Sequence, residues 1–137
     1  MNIRRIWPVC LLAAMLPLSG CETAGARPKA PVIVTPLRAS GNAQTGKASY
    51  YGAKFQGRKT ASGEAFDRHA MTAAHPSLPF QTRVKVTCLS TKKSVVVRIN
   101  DRFPSIGSRI IDLSEAAFAR IAPLSQGVVS VEVEVLR

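Results

Sequence analysis

Acidic residues are scarce in this chain of 137 residues, which contains 8 Asp plus Glu against 19 Lys plus Arg. Histidine is scarcer still, because His69 and His75 are the only two, and no cysteine or carboxylate pattern completes a zinc site around them. The sequence also lacks a Gly-rich phosphate loop and any internal repeat. We therefore expect one small domain that uses no metal and no cofactor.

A long apolar run is also missing, since the apolar stretch at residues 6–18 is shorter than the roughly 20 residues that a membrane-spanning helix needs. It follows Arg4 and Arg5 and precedes two small residues, which is the pattern of a secretory signal. Cys21 comes next, as in the bacterial lipobox. We therefore expect residues 1–20 to be removed and Cys21 to be lipidated, which places the protein at the periplasmic face of the outer membrane.

Cysteine usage agrees with this expectation. With Cys10 removed in the signal and Cys21 lipidated, Cys88 would remain alone, so an intramolecular disulfide is excluded. Cys88 lies in register with Val84 and Val86 in an alternating stretch. It is expected to be a small core residue, with a catalytic thiol as the lesser alternative.

The formal net charge of +11 would ordinarily indicate a nucleic-acid partner. An exported protein rarely meets nucleic acid, so we expect none. The anionic partners at the cell envelope are lipid phosphate groups and the carboxylates of peptidoglycan, and a cationic surface attracts both. The expected partners are therefore peptidoglycan and, through the lipid anchor, the membrane.

The exported chain divides into a tether and a domain. Residues 21–46 contain prolines among small residues and show little periodic apolar pattern, which is typical of a flexible tether behind the lipidated cysteine. Residues 32–34 could instead pair onto the domain as an extra strand. Residues 47–137 are enough for one modest core.

Apolar and polar residues alternate in three stretches of this domain, which predicts half-buried β-strands. These stretches are residues 83–88, 95–99 and 129–135, and residues 47–51 and 109–113 are shorter strand candidates. Residues 114–121 predict a helix of about two turns, with Ser114 as its N-cap. Many short strands with one short helix predict an all-β fold, a small closed barrel.

Six segments of residues 47–137 have the order and spacing of a known family, and together they resemble the rare lipoprotein A family. They are Ala48-Ser49-Tyr50-Tyr51-Gly52, residues 57–64, Thr72-Ala73-Ala74-His75, Leu78-Pro79-Phe80, residues 95–102 and Arg109-Ile110-Ile111-Asp112-Leu113-Ser114. The resemblance implies a six-stranded double-psi β-barrel related to expansins. Family members with demonstrated activity are lytic transglycosylases that cleave peptidoglycan glycan strands, preferentially peptide-stripped ones, to 1,6-anhydro-muramyl ends.

The resemblance also implies catalytic residues, because Asp101 and Glu64 match the family's catalytic acid positions and His75 matches a third polar residue near them. Cleavage needs a proton for the leaving oxygen and a base for the muramyl 6-hydroxyl, and one carboxyl group can serve as both. We assign Asp101 as general acid/base and Glu64 as the partner that tunes it or stabilises the positive centre, although these roles could be exchanged. His75 either orients a carboxylate or caps the turn before Pro76.

Five further side chains are candidate substrate contacts. Tyr50, Tyr51 and Phe55 could stack on sugar rings or simply pack the barrel. Arg58 and Arg102 could bind substrate carboxylates. They could instead pin Asp101 in an ion pair, which would oppose acid catalysis by favouring the charged carboxylate.

Two departures from the family pattern each remove a glycine, because Gln81 follows Leu-Pro-Phe and Phe103 follows Asn-Asp-Arg. If either position needs a positive φ, the side chain strains the loop by about 1 kcal/mol or more. The alternative function is therefore a non-catalytic, expansin-like module that binds peptidoglycan. A third is an envelope scaffold that binds other proteins.

Overall fold

Residues 39–137 are the part of the chain that the structure, a computed structural model, describes. They contain the strands β1 (Ala39–Tyr50), β2 (Thr72–Ala74), β3 (Arg83–Cys88), β4 (Ser94–Asp101), β5 (Arg109–Leu113) and β6 (Val129–Leu136). The helix α1 (Glu115–Ile121) follows β5, and two short 3-10 helices cover Ala53–Phe55 and Leu124–Gln126. No helix in this range is long and apolar enough to cross a membrane.

The six strands close into a barrel in the order β1-β5-β2-β4-β3-β6. β1 pairs with β5 and β2 pairs with β4 in parallel, whereas the other four neighbouring pairs are antiparallel. Closure pairs every strand on both sides, so no sheet edge of the barrel is left open. The predicted six-stranded barrel with one short helix is thereby confirmed.

The barrel interior is filled by side chains from alternate strand positions. Val84, Val86 and Cys88 on β3 are fully buried, and Val97 and Ile99 on β4 are buried beside them. Cys88 is therefore the core residue that the alternation predicts.

The helix α1 packs Phe118 and Ile121 into the same core, and both side chains are fully buried. Its start is confirmed at the predicted cap, because the Ser114 hydroxyl accepts a hydrogen bond from the Ala117 N–H at 3.2 Å. That contact satisfies one of the N–H groups that a helix leaves without an internal partner.

The boundary between tether and domain differs from the prediction. A flexible tether is expected over residues 21–46, but β1 begins at Ala39, so the expectation is wrong for the last part of that range. The residues before Ala39, which include Cys21 and the predicted signal, lie outside the described residues. Residues 43–47 pair with β6 although most of their side chains are exposed. Main-chain hydrogen bonds hold this half of β1, and a sequence pattern that reports burial cannot reveal them.

The strand β2 also escapes the sequence prediction. It has only three residues, and all of them are buried, so neither length nor alternation distinguishes it from a loop. It nevertheless pairs with β4 on one side and β5 on the other. The partners of β2, and not its own sequence, make it a strand.

The first prediction concerns the close contact between β1 and β5 at Gly46. A Cβ built on Gly46 would lie 2.6 Å from Cγ2 of Ile110, whereas a Cβ on Gly52 would meet nothing within 4 Å. Because the Ile110 side chain branches at Cβ, Gly46→Ala should destabilise the protein by about 1–3 kcal/mol. Gly52→Ala, at an ordinary φ of −70°, should leave stability equal or higher. Urea unfolding of both variants measures this, and equal stabilities would contradict it.

Candidate active site

An open cavity of about 560 Å³ lies where the chain leaves β1 and where β4 ends. Four aromatic rings, three cationic side chains and a single carboxylate line it, together with Thr60 and Pro104. They are Tyr51, Phe55, Phe66 and Phe103, then Arg58, Lys59 and Arg102, and Asp101. The cavity therefore combines apolar ring faces, which suit sugars, with one titratable acid.

The Asp101 carboxylate is held by three hydrogen bonds from neutral donors. Its Oδ1 accepts the main-chain N–H groups of Ala61 and Arg102, each at 2.8 Å. Its Oδ2 accepts the Tyr51 hydroxyl at 3.1 Å. Because Oδ1 has both lone pairs occupied, Oδ2 is the oxygen that keeps capacity for a further partner.

The Tyr51 ring is itself fixed by two edge-to-face contacts. Its centroid lies 5.6 Å from that of Phe55 and 5.1 Å from that of Phe66. Burial, and next the charge of Asp101, raise the pKa of the Tyr51 phenol far above its usual range, so it remains a hydrogen-bond donor. Tyr51 could stack on sugar or simply pack the barrel. The structure places its side chain at the cavity wall, which fits the first interpretation.

Glu64 has different surroundings and does not line this cavity. Arg98 donates to both of its oxygens, at 2.7 and 2.9 Å, while Asn100 and Gln81 each donate at 3.2 Å. The hydrogen bonds from Arg98, then those from Asn100 and Gln81, lower the pKa of Glu64 to about 2. Glu64 is therefore ionised at neutral pH, and an exchange of roles in which it serves as the proton donor conflicts with this arrangement.

His75 is buried and caps a turn. Its Nδ1 accepts the N–H groups of Ser77 and Leu78, at 3.2 and 3.1 Å. Its imidazole forms no hydrogen bond or ion pair with a carboxylate within residues 39–137, and its Nε2 has no hydrogen-bond partner there. Burial, and next the charge of Arg102, lower its pKa, which favours the neutral ring that this turn requires. The turn-capping interpretation of His75 therefore fits the structure, and the orientation of a carboxylate does not.

The two predicted arginines lie in the cavity wall without pinning Asp101. The Arg102 guanidinium stacks over the Phe80 ring at 4.1 Å, and its NH1 donates to the carbonyl oxygens of His75 and Asp101 at 3.2 and 3.3 Å. Arg58 lies over the Phe55 ring at 5.8 Å. Neither forms an ion pair with Asp101, so the inhibitory alternative does not hold in the described part of the chain.

Tyr50 points away from the cavity. Its ring packs at 4.9 Å on Phe118 of α1, and its hydroxyl donates to the Leu124 carbonyl at 3.3 Å. Its role is therefore packing, and the stacking role on sugar does not fit its position. Phe66 and Lys59 also line the cavity and are not among the predicted site residues. Phe66 lies outside the six segments that resemble the family, whereas Lys59 lies within residues 57–64, where the order and spacing of the segment do not indicate its role.

One of the two positions that replace a family glycine does adopt a left-handed conformation. Gln81 has φ of 71°, whereas Phe103 does not have a positive φ. The side chain of Gln81 offsets the strain of this backbone conformation, because it donates a hydrogen bond to Glu64 and accepts one from Arg98 NH1 at 3.0 Å. The strained residue thus belongs to the network that holds Glu64.

Within residues 39–137, no group of three or more His, Cys, Asp or Glu side chains is placed to hold a metal ion. The chemistry available in the cavity is proton transfer at Asp101 next to aromatic and cationic walls.

Comparisons with known proteins agree on one family. The model of the lytic transglycolase family matches residues 43–133. The endolytic peptidoglycan transglycosylase RlpA of Neisseria meningitidis serogroup A is 50% identical over 91 residues, which are 66% of this chain and 38% of that protein. The probable endolytic peptidoglycan transglycosylase RlpA of Synechocystis sp. is 54% identical over 92 residues, 67% of this chain and 29% of that protein. The matched residues thus span only about a third of the length of these curated relatives.

A solved structure supports the fold. The Streptomyces papain inhibitor superimposes with a TM-score of 0.57 at 30% identity, covering 74% of this chain and 98% of that one. Its name describes inhibition of a protease, so the double-psi barrel alone does not determine which activity is present.

The low pKa of Glu64 predicts an acid-dependent loss of stability. Because the folded value of about 2 is below the ordinary 4.5, the stabilisation is complete above pH 4.5 and is lost as the pH falls towards 2. Glu64→Gln should be less stable than the original protein at pH 7, and the difference should shrink between pH 5 and pH 2. Thermal unfolding across this range measures it, and a constant difference would contradict the ion pair. Glu132→Gln, which removes a carboxylate without an ion-pair partner in residues 39–137, should lower stability less at pH 7.

The left-handed Gln81 predicts a difference between two glycine variants. Lys92 has a similar φ of 61°, but its exposed side chain makes no hydrogen bond in the described chain. Lys92→Gly relieves the left-handed strain and should not lower stability. Gln81→Gly relieves the same strain but removes the contacts with Glu64 and Arg98, so it should be the less stable of the two. Chemical unfolding compares them, and the opposite order would show that the side-chain contacts contribute nothing.

Proposed function

The chain belongs to the lytic transglycolase family, and curated RlpA proteins are about half identical to it over the matched residues; from this we propose that it is a peptidoglycan lytic transglycosylase. It would cleave the bond between N-acetylmuramic acid and N-acetylglucosamine and leave a 1,6-anhydro-muramyl end. The observation that carries the proposal is Asp101, an acid without an ion-pair partner, fixed at the wall of an open cavity with aromatic sides.

In this mechanism Asp101 first donates a proton and then accepts another one. As an acid, it gives its proton from Oδ2 to the glucosamine oxygen while the bond from that oxygen to C1 of the muramyl ring breaks. As a carboxylate, it takes the proton of the muramyl 6-hydroxyl while that oxygen bonds to C1. The acid is regenerated and no water is consumed. Oδ2 is assigned because Ala61 and Arg102 already occupy Oδ1.

The other candidate residues support this step in separate ways. Tyr51 holds Oδ2 towards the cavity by its hydroxyl, and its ring, with those of Phe55 and Phe66, offers apolar faces to sugar. Glu64 anchors the loop that carries Ala61. Its side chain binds Arg98 on β4 at 2.7 Å, and its main-chain carbonyl accepts the Thr60 N–H at 2.7 Å. We assign Glu64 as a positioning residue and His75 as the cap of the neighbouring turn.

The cellular setting is part of the same proposal. The relatives are named for a peptidoglycan substrate, and an enzyme of peptidoglycan works in the cell envelope. Lipidation at Cys21, attachment to the outer membrane and a preference for peptide-stripped strands are the finer proposals, and they rest on the sequence pattern and the family resemblance.

The test is the release of 1,6-anhydro-muramyl products from purified glycan strands, detected by mass spectrometry. Asp101→Asn should lower the rate at least about a hundredfold, because general acid and base catalysis is lost. Tyr51→Phe should lower it about tenfold with the fold retained, because one hydrogen bond to the carboxylate is removed. Lys93→Gln, on the exposed turn between β3 and β4, is the control that should keep the original rate.

Three results would separate the alternatives. Hydrolytic products, heavier by one water, would contradict the transglycosylase mechanism. Glycan binding without any product would indicate the non-catalytic, expansin-like module. An active Asp101→Asn variant would remove Asp101 from the chemistry.

A further inference from the structure

The charges that line the cavity are unbalanced. Arg58, Lys59 and Arg102 face a space whose only carboxylate is Asp101. None of the three cations forms an ion pair within residues 39–137, and Asp101 is satisfied by the hydroxyl of Tyr51 and two main-chain N–H groups. The cavity thus holds a surplus of positive charge that the described protein does not neutralise.

At least one of these cations is held in place before any ligand arrives. The Arg102 guanidinium is stacked on Phe80, and its NH1 is used by two carbonyl oxygens, whereas its NH2 and Nε make no hydrogen bond in the described chain. A guanidinium has five N–H donors in a planar fork that suits a carboxylate. Because its orientation is already set, Arg102 loses little conformational freedom on binding an anion.

Arg58 supplies a second cation at the aromatic wall of the cavity. Its guanidinium lies over Phe55, which contacts Tyr51 edge to face, and Tyr51 binds Asp101. Lys59 follows it in the chain and also lines the cavity. All three cations therefore line the same cavity as the proposed acid. An anion bound by them would lie near the bond that is cleaved.

We propose that Arg58, Lys59 and Arg102 form a subsite for the free lactyl carboxylate of N-acetylmuramic acid, an inference that rests on the proposed function. This carboxylate is borne by an ether on the muramyl ring itself, the ring whose C1 reacts. It is charged only where the stem peptide has been removed, because the peptide converts it into a neutral amide. The carboxylates of the peptide lie several bonds farther from the ring.

The subsite gives the charge surplus a function in substrate selection. A free lactyl carboxylate gains charge-assisted hydrogen bonds, whereas an amide at the same atom leaves the cations unpaired. The contribution of these partly exposed cations should weaken as salt is added. Selection would then act through the cavity and need no separate binding module.

The test uses ligands that differ only at this group. They are a peptide-free tetrasaccharide of alternating N-acetylglucosamine and N-acetylmuramic acid, its methyl ester, and chitotetraose, which lacks the lactyl group. Binding is measured by calorimetry on the full chain carrying Asp101→Asn, so that no ligand is consumed. The free acid should bind about tenfold or more tightly than the ester and chitotetraose, and only its affinity should fall with salt.

The second part of the test compares variants of the protein. Arg58→Gln and Lys59→Gln change exposed side chains. Each should weaken binding of the free acid without changing the affinity for the ester. Arg102→Gln should do the same, with circular dichroism to check that the turn at His75 survives. Lys93→Gln removes one charge from the remote β3–β4 turn and should leave the free-acid preference unchanged.

The outcomes distinguish this inference from the proposed function. Equal affinity for the acid, ester and chitotetraose, with anhydro products still formed by the original protein, would overturn the subsite alone. Loss of the preference in Lys93→Gln as well would attribute it to net charge, which also contradicts the subsite. Failure to bind any glycan, together with no products, would overturn both.

Discussion

The arrangement of the site depends on one carboxylate oxygen, Oδ1 of Asp101, which is shared by two main-chain N–H groups. One belongs to Arg102, the next residue, and the other to Ala61, which lies 40 residues earlier in the chain. The second contact ties the loop after β1 to the end of β4. It fixes the loop that bears Arg58 and Phe66 directly to the acid.

The same loop is braced at several points, which explains how one short contact can hold. Ser62 N–H donates to the Asn100 carbonyl at 3.2 Å, and Lys59 and Ala65 form an isolated antiparallel bridge. The Glu64 side chain then binds Arg98 on β4. Of the two carboxylates that the family pattern marks, one is therefore fixed in its charged form to build the site, and the other is presented to the cavity. Glu64 is bound by a guanidinium and Asp101 by neutral donors. Two carboxylates can thus take different roles because their surroundings differ.

The scarcity of acids has a consequence for the whole domain. Most of the acids within residues 39–137 are engaged at particular places, as when Asp112 accepts the Ser49 hydroxyl between the parallel strands β1 and β5. Most of the cations have no such partner within residues 39–137, and three of them gather at the cavity. A basic surface near an anionic polymer favours encounter, but the placement of Arg102 against Phe80 makes part of that charge directional.

The sequence by itself determined the strands whose side chains alternate, the cap of α1 and the burial of Cys88, because each is a local pattern of burial or capping. It also marked Asp101 and Glu64, but it could not assign their surroundings. Only the tertiary structure decided that Tyr51 faces the cavity while its neighbour Tyr50 packs on the helix, and that β1 begins before its apolar pattern does. The physical reason is that hydrogen-bond partners and strand neighbours come from residues distant in the chain, and no local pattern of side chains records which of them will meet.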